Sequence, residues 1–385
     1  MIMGTKNYDS ATDMITFSRA SGGTALRRVG YGTELLTNSE FDDGLTGWTD
    51  SSSAPSFWSV SGGVATQNTD GAAVARLRQS FTTVVGKVYK VSFVGTLDGY
   101  AIGTTSGNSD ILPFAARTDG YFVAVGTTTW FNTANNTDGL TFESVTVKEV
   151  IFDRATDPLV LFNHPANIPR IEYDAAGAVK GLLIEEARTN LLTYSEDFSN
   201  AAWFKGGNIT LVTPTTELGF NMTTLTDADA TSYSSTHLVV TLASSTVYTM
   251  SGYIARNSSA TSEASLRLEQ ADNVLGPLYS GISINPTDGT FDAGGWDNDV
   301  TSRDVIPYGP DHYFWYVTLT TPANMASSRL AIFPAHYDLA GAGAATKVGS
   351  NSFGGLQIEA GGFPTSYIPT AGAAVTRAAD LASIP

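Results

Sequence analysis

The feature that most constrains this 385-residue chain is a repeat at long spacing. Phe17-Ser18-Arg19-Ala20-Ser21 returns as Phe152-Asp153-Arg154-Ala155-Thr156, an offset of 135 residues (152 − 17). Glu34-Leu35-Leu36-Thr37-Asn38-Ser39-Glu40-Phe41, closing at Trp48, returns as Asn190-Leu191-Leu192-Thr193-Tyr194-Ser195-Glu196-Asp197-Phe198, closing at Trp203. A third Arg-Ala pair stands in Thr376-Arg377-Ala378-Ala379-Asp380. Solenoid units run to about 20–50 residues, so this spacing means duplicated domains, each with its own apolar core. The chain has no cysteine, and packing alone must hold them.

Between the repeats the apolar residues alternate as they do in half-buried strands. Tyr89, Val91 and Phe93 share one face, as do Leu77 and Phe81; Leu238, Val240 and Leu242 repeat the pattern, as do Leu266 with Leu268 and Leu330 with Ile332. Turn signals separate these runs at Ser61-Gly62-Gly63, Pro286-Thr287-Asp288-Gly289 and Gly341-Ala342-Gly343. The expectation is an all-β chain of two tandem antiparallel β-sandwich, jelly-roll-like domains. An N-terminal attachment segment over 1–32 precedes the first sandwich, 33–150. An extended connector over 151–192 leads to the second, 193–370, and a tail follows over 371–385. The connector reading rests on Asp157-Pro158, His164-Pro165 and Ile168-Pro169, since each proline holds its predecessor extended. Gly181–Asn190 reads equally as a short helix or as a strand ending in a turn.

The 21 basic and 37 acidic residues leave a net charge of −16, whose field repels phosphate backbones and anionic lipid. Nucleic acid and membrane are thereby excluded as expected partners. The opening MIMGTKNYDS lacks the basic-then-apolar pattern of a signal peptide, and nowhere do 18 apolar residues run together. Assembly in a cytoplasm, with later exposure by lysis, is the expected history.

Motifs for catalysis are sparse. No Gly-x-Ser-x-Gly elbow and no His-Glu-x-x-His occurs, and the four histidines, at 164, 237, 312 and 336, share no local context. Gly341-Ala342-Gly343-Ala344 lacks the residues of a phosphate loop and reads as a turn. Glu185-Glu186, Asp297 with Asp299, and Asp42-Asp43 are the carboxylate pairs a glycosidase could use, although 37 acids make such coincidences common. For Glu185-Glu186-Ala187-Arg188 the stronger reading is a structural knot, with Arg188 on a carboxylate and Leu182, Leu183, Leu191 and Leu192 anchoring it. Trp58, Tyr100, Trp130 and Trp296 lie in or beside Gly/Asn/Asp-rich turns and are the candidate sugar-stacking planes; packing or subunit contact is the competing reading for each. Tyr313–Leu319 reads as a core strand, and Trp48, Trp203 and Trp315 as packing residues.

The ordered pieces Gly181-Leu-Leu-Ile-Glu-Glu-Ala-Arg-Thr-Asn-Leu-Leu192, Tyr194-Ser-Glu-Asp-Phe198, Gln357-Ile-Glu-Ala-Gly-Gly-Phe-Pro-Thr-Ser-Tyr-Ile-Pro-Thr370 and Val375-Thr-Arg-Ala-Ala-Asp380 resemble a pattern of bacteriophage tail and head-appendage structural proteins. Thr16–Ser21 and Pro169-Arg-Ile-Glu-Tyr-Asp174 belong to the same pattern. Leu36–Gly44, Gly47-Trp48 and Leu140–Val147 are similar to the start and end of carbohydrate-binding-module-like jelly rolls, which places a structural calcium, if one is held, at Glu40, Asp42 and Glu143. The resemblance implies a non-enzymatic virion surface protein of the head or tail appendage, fibre or decoration type. Its implied partners are other virion proteins, further copies of itself as a homotrimer, and host surface polysaccharide; no cofactor beyond that calcium is implied. A dedicated glycan-binding receptor-recognition module and a glycan depolymerase are the alternatives.

Overall fold

The computed structural model describes residues 16–96, 99–115, 117–174, 177–212, 215–217, 220–270, 279–293, 299–309, 311–323, 325, 327–339 and 348–383. Among them there is no helix, and the strands pair antiparallel. The chain divides into two compact units: Arg28–Pro158, and the residues up to Arg27 together with those from Leu159 onward. Each unit is a β-sandwich.

In the first unit one sheet runs in the order Asp119–Val123, Val88–Gly95, Thr141–Phe152, Gly23–Glu34, with the hairpin Phe57–Ser61/Val64–Asn68 joined to Thr141–Phe152. The hairpin turns through Gly62 and Gly63, both at positive φ (59° and 76°), the geometry whose twist matches two antiparallel strands. The second sheet runs Thr49–Asp50, Leu77–Thr82, Thr128–Asn132, Tyr100–Gly103, Leu112–Ala115. The alternating faces meet as expected: Tyr89, Val91 and Phe93 from one sheet and Leu77, Phe81 and Phe131 from the other are all in the core. Each such side chain contributes about 1.5–3 kcal/mol by leaving water.

The second unit repeats the plan. One sheet runs Trp203–Lys205, Thr236–Val240, Ser328–Asp338, Ser262–Gln270, Tyr279–Ile284, Phe291–Asp292. The facing sheet runs Ile209–Leu211, Phe220–Asp227, Gly349–Ala360, Val247–Ala255, His312–Thr320, Val300–Tyr308, with Thr215–Glu217 beside Phe220–Asp227. Tyr313, Trp315, Val317 and Leu319 point into the core while Phe314 and Tyr316 face away, the period of a half-buried strand. Trp48, Trp203 and Trp315 are all buried in their cores.

The boundaries differ from the sequence expectation. The described part of the attachment segment, 16–27, most of the connector, 159–192, and the tail as far as 383 are folded into the second unit. Thr16–Ser18 pairs with Leu381–Ser383, Arg188–Asn190 with Val375–Arg377, and Ile171–Tyr173 with Val179–Leu182. Within Gly181–Asn190, residues 181–182 and 188–190 are strand and 183–187 take no regular structure; none is helix. Between Pro165 and Pro169 the chain turns, with Asn167 at a φ of 62°, and Arg170 is buried against Glu185 and Asp380, which fixes the stretch to the sandwich.

Candidate functional site

The repeat seen in the sequence is a strand corner built twice. In the first unit the Glu34 Oε1 accepts from the N–H groups of Leu35, Leu36 and Val147. In the second the Asn190 Oδ1 accepts from Leu192 and Ile358. The following leucine closes the same backbone bond in each, Leu35 N–H to the Val147 carbonyl at 3.0 Å and Leu191 N–H to that of Ile358 at 2.8 Å. Two residues back along the partner strand, Val145 donates to Ser39 and Leu356 to Ser195. Phe41 packs on Trp48 with ring centroids 5.1 Å apart, and Phe198 on Trp203 at 4.8 Å. Each indole N–H donates to a corner carbonyl, Asn38 or Tyr194.

Beyond this corner the second unit builds a knot of buried charge that the described residues of the first do not repeat. Asp380 receives Arg19 through Oδ1 at 3.1 Å and Arg170 through Oδ2, every one of these side chains being fully buried. Arg170 also reaches Glu185 at 2.9 Å, the Thr24 carbonyl at 2.8 Å and the Ser366 hydroxyl at 2.7 Å. Arg377 contributes a second guanidinium to Glu185 at 3.5 Å and donates to the Glu186 carbonyl. The Glu185 N–H donates to the Asp380 Oδ2, and the Asp380 N–H donates to the Glu185 carbonyl. Arg188 pairs with Glu186, its guanidinium 5.0 Å over the Phe363 ring, as the knot reading of that segment expected. Burial pulls the Arg19 and Arg377 guanidinium groups below their usual range, the Asp380 and Glu185 carboxylates opposing the effect.

Two buried neutral or acidic groups complete this region. Arg27 stands 3.1 Å from Nε2 of His164, whose Nδ1 lies 3.1 Å from the Phe162 carbonyl, so the ring is neutral with its proton on Nδ1. Burial, then Arg27, Arg170 and Arg19, push its pKa well below the usual histidine range. Glu359 accepts from the backbone and hydroxyl of Thr365 and from Gln357; burial raises its pKa and those three bonds pull it back.

Against the knot lies a cavity of about 590 Å³ within the second unit. Tyr253, Tyr308 and Phe314, from three adjacent strands, supply an aromatic part of the lining, with ring centroids 4.9 to 6.4 Å apart. Glu172, Asp174, Lys180 and Glu185 supply a charged part, and Ser366 a hydroxyl. Burial pushes the Glu172 carboxyl up to about 7, partly offset by Lys180. Tyr253 and Tyr308 are raised by burial too, with Glu172 adding to both.

The sequence candidates are placed elsewhere. Trp58 is 4% exposed and packs on Phe142 at 4.7 Å, and Tyr100 is fully buried between Phe93 and Phe131. The expectation of open stacking planes at these two is corrected: their ring faces are filled by the first core, and the polar turns beside them lie beyond the rings. Trp130 is half-buried on the strand Thr128–Asn132, facing away from Phe131. Trp296 and Asp297 lie outside the described residues, as does the Gly341-Ala342-Gly343 turn. Glu40, Asp42 and Glu143 are each exposed, and among the described residues no three His, Cys, Asp or Glu side chains gather. Missed by the sequence reading were Glu172, Tyr253, Tyr308 and Phe314. Their one signal was that Pro169–Asp174 sits in a piece of the motif, whereas the aromatics lie on strands indistinguishable from core.

No family model matches the chain, and no curated protein matches it. Among solved structures it is similar to the N-terminal CBM22-1-CBM22-2 tandem domain of Xyn10C from Paenibacillus barcinonensis, at 12% identity and a TM-score of 0.31, over 86% of this chain and 98% of that one. A score of that size leaves the two folds unequated, and the architecture here rests on its own strand pairings.

Proposed function

We propose that this chain is a non-catalytic bacteriophage surface protein, a subunit of a head or tail appendage, fibre or decoration that adheres to host glycans and assembles as a homotrimer with other virion proteins. The observation that supports this reading best is the convergence of the motif. Arg19, Arg170, Glu185 and Arg188, Gln357 to Thr370, and Arg377 with Asp380 come from separate pieces of the phage-like pattern, and all meet in one region of one unit. A pattern whose members meet in a common knot serves architecture, which is what a particle protein needs. The cavity beside it supplies a place for adhesion.

The test is to label purified particles with antibody against the chain. Labelling of intact particles supports the reading; absence from particles, or burial inside a capsid, overturns it. Binding of the protein to host surface polysaccharide tests adhesion in the same way.

One observation favours a depolymerase instead: Glu172, raised to about 7, shares a cavity with Glu185. Against it, Glu185 is committed through Oε2 to Arg170 and to the Ser366 hydroxyl and through Oε1 to the Ser366 N–H. Release of reducing ends from host polysaccharide, lost in Glu172→Gln, would reverse this ranking.

A further inference from the structure

We propose that the cavity between the aromatic cluster of Tyr253, Tyr308 and Phe314 and the Glu172–Glu185 side is a binding site for an uncharged pyranose unit. The inference rests on the adhesive reading and names its ligand class and place.

The argument is one of matching surfaces. A volume of about 590 Å³ lies in the roughly 300–1,000 Å³ range of small-molecule sites. Its lining is amphipathic: Tyr308, Phe314, Ile306, Pro307 and Leu161 on the one hand, carboxyl, phenol and hydroxyl groups on the other; Tyr253, 4% exposed and packed on Phe220, Tyr308 and Phe314, backs the aromatic side. Glu172 accepts from the Leu26 N–H, and Tyr253 and Tyr308 hydrogen-bond each other; a purely apolar ligand would still take the remaining lone pairs of the Glu172 carboxyl out of water, which costs free energy for each acceptor left unpaired. A pyranose presents C–H groups to aromatic rings and hydroxyls to carboxyl and phenol oxygens, and so satisfies both halves. Charge narrows the class further. Glu172, Asp174 and Glu185 line the cavity against the single cation Lys180, and Glu185 is already paired with Arg170. A uronate or a phosphate brought beside Glu172 would meet a like charge in a poorly solvated place.

Saturation-transfer NMR on the full chain tests this with methyl glucopyranoside, methyl galactopyranoside and methyl N-acetylglucosaminide, each against methyl glucuronide. At least one neutral glycoside should bind saturably, with the glucuronide about tenfold weaker or more. Ile306 is 43% exposed at the lining, so Ile306→Trp fills the site without disturbing the core and should abolish that binding. Glu172→Gln removes the charge at constant shape and should narrow the neutral-to-anionic preference about tenfold. Saturable binding to none of the three, binding unchanged in Ile306→Trp, or a glucuronide bound as tightly as the neutral sugars would each overturn the site. Retained binding to host polysaccharide by Ile306→Trp would remove the cavity and leave adhesion standing elsewhere on the protein.

Discussion

Glu34 and Asn190 hold the same place in two copies of one corner, yet the chain takes a different course beyond each. In the first unit the last long strand, Thr141–Phe152, runs directly into Arg154, which pairs with Asp157 three residues on while half its side chain stays in solvent. In the second, Gly349–Ala360 leads into the Phe363–Thr370 segment before the chain reaches Arg377 and Asp380. There the same Arg-Ala-x-Asp sequence is not paired within itself: Asp380 takes Arg19 and Arg170, and Arg377 takes Glu185. One sequence motif thus makes a local pair, half open to solvent at its arginine, in one setting and a long-range, fully buried knot in the other. Exposure to water decides the difference. A pair in solvent gains little, whereas charges taken out of water hold together only when each has its partners.

The largest break in this comparison is Asp380→Asn. It leaves Arg19 buried without its anion and Arg170 with Glu185 alone, and should cost the second unit about 3–5 kcal/mol in denaturant unfolding, while Asp157→Asn in the first should cost about 1 kcal/mol or less. Next come the corners. Glu34→Ala and Asn190→Ala each strand backbone N–H groups, for about 1–3 kcal/mol. Asn190→Ala should be the costlier, because its Nδ2 also donates to the Leu356 and Ile368 carbonyls. A smaller effect depends on pH. Glu172 titrates near 7 in the folded protein and near 4.5 unfolded, so above 4.5 the unfolded chain binds fewer protons and folded stability falls as pH rises to about 7. Glu172→Gln should therefore be more stable than the parent by about 1–2 kcal/mol at pH 8, with the gain gone below pH 4.5, in thermal melts across that range. Least of all, Lys87→Ala, which breaks an exposed pair with Glu149, should shift stability by about 0.5 kcal/mol or less.

How much of this was legible in the sequence depended on how local the cause was. Alternation gave the strands, because Tyr89, Val91 and Phe93 answer to a period of two whatever surrounds them. The corner showed itself because both copies keep the leucine pair and the closing tryptophan. Trp58 and Tyr100 misled because neighbouring Gly and Asn say that a turn is near but not on which side of the sheet the ring falls. The knot was half visible. Arg19, Arg154 and Arg377 stood out as repeats, but Arg19 finds its partner 361 residues away, a distance no spacing rule spans. The cavity was least legible, since Tyr253, Tyr308 and Phe314 become a lining only when the segment bearing Glu172 folds against them.

The central claim is that 16–27, 159–192 and 375–383 are one cooperative piece of the second unit, pinned by Asp380. Hydrogen exchange on the parent and on Asp380→Asn tests it most directly. The account predicts that amide protection falls together in all three segments while Arg28–Pro158 keeps its own. Loss confined to the C-terminal segment, or spread equally into Arg28–Pro158, would contradict it.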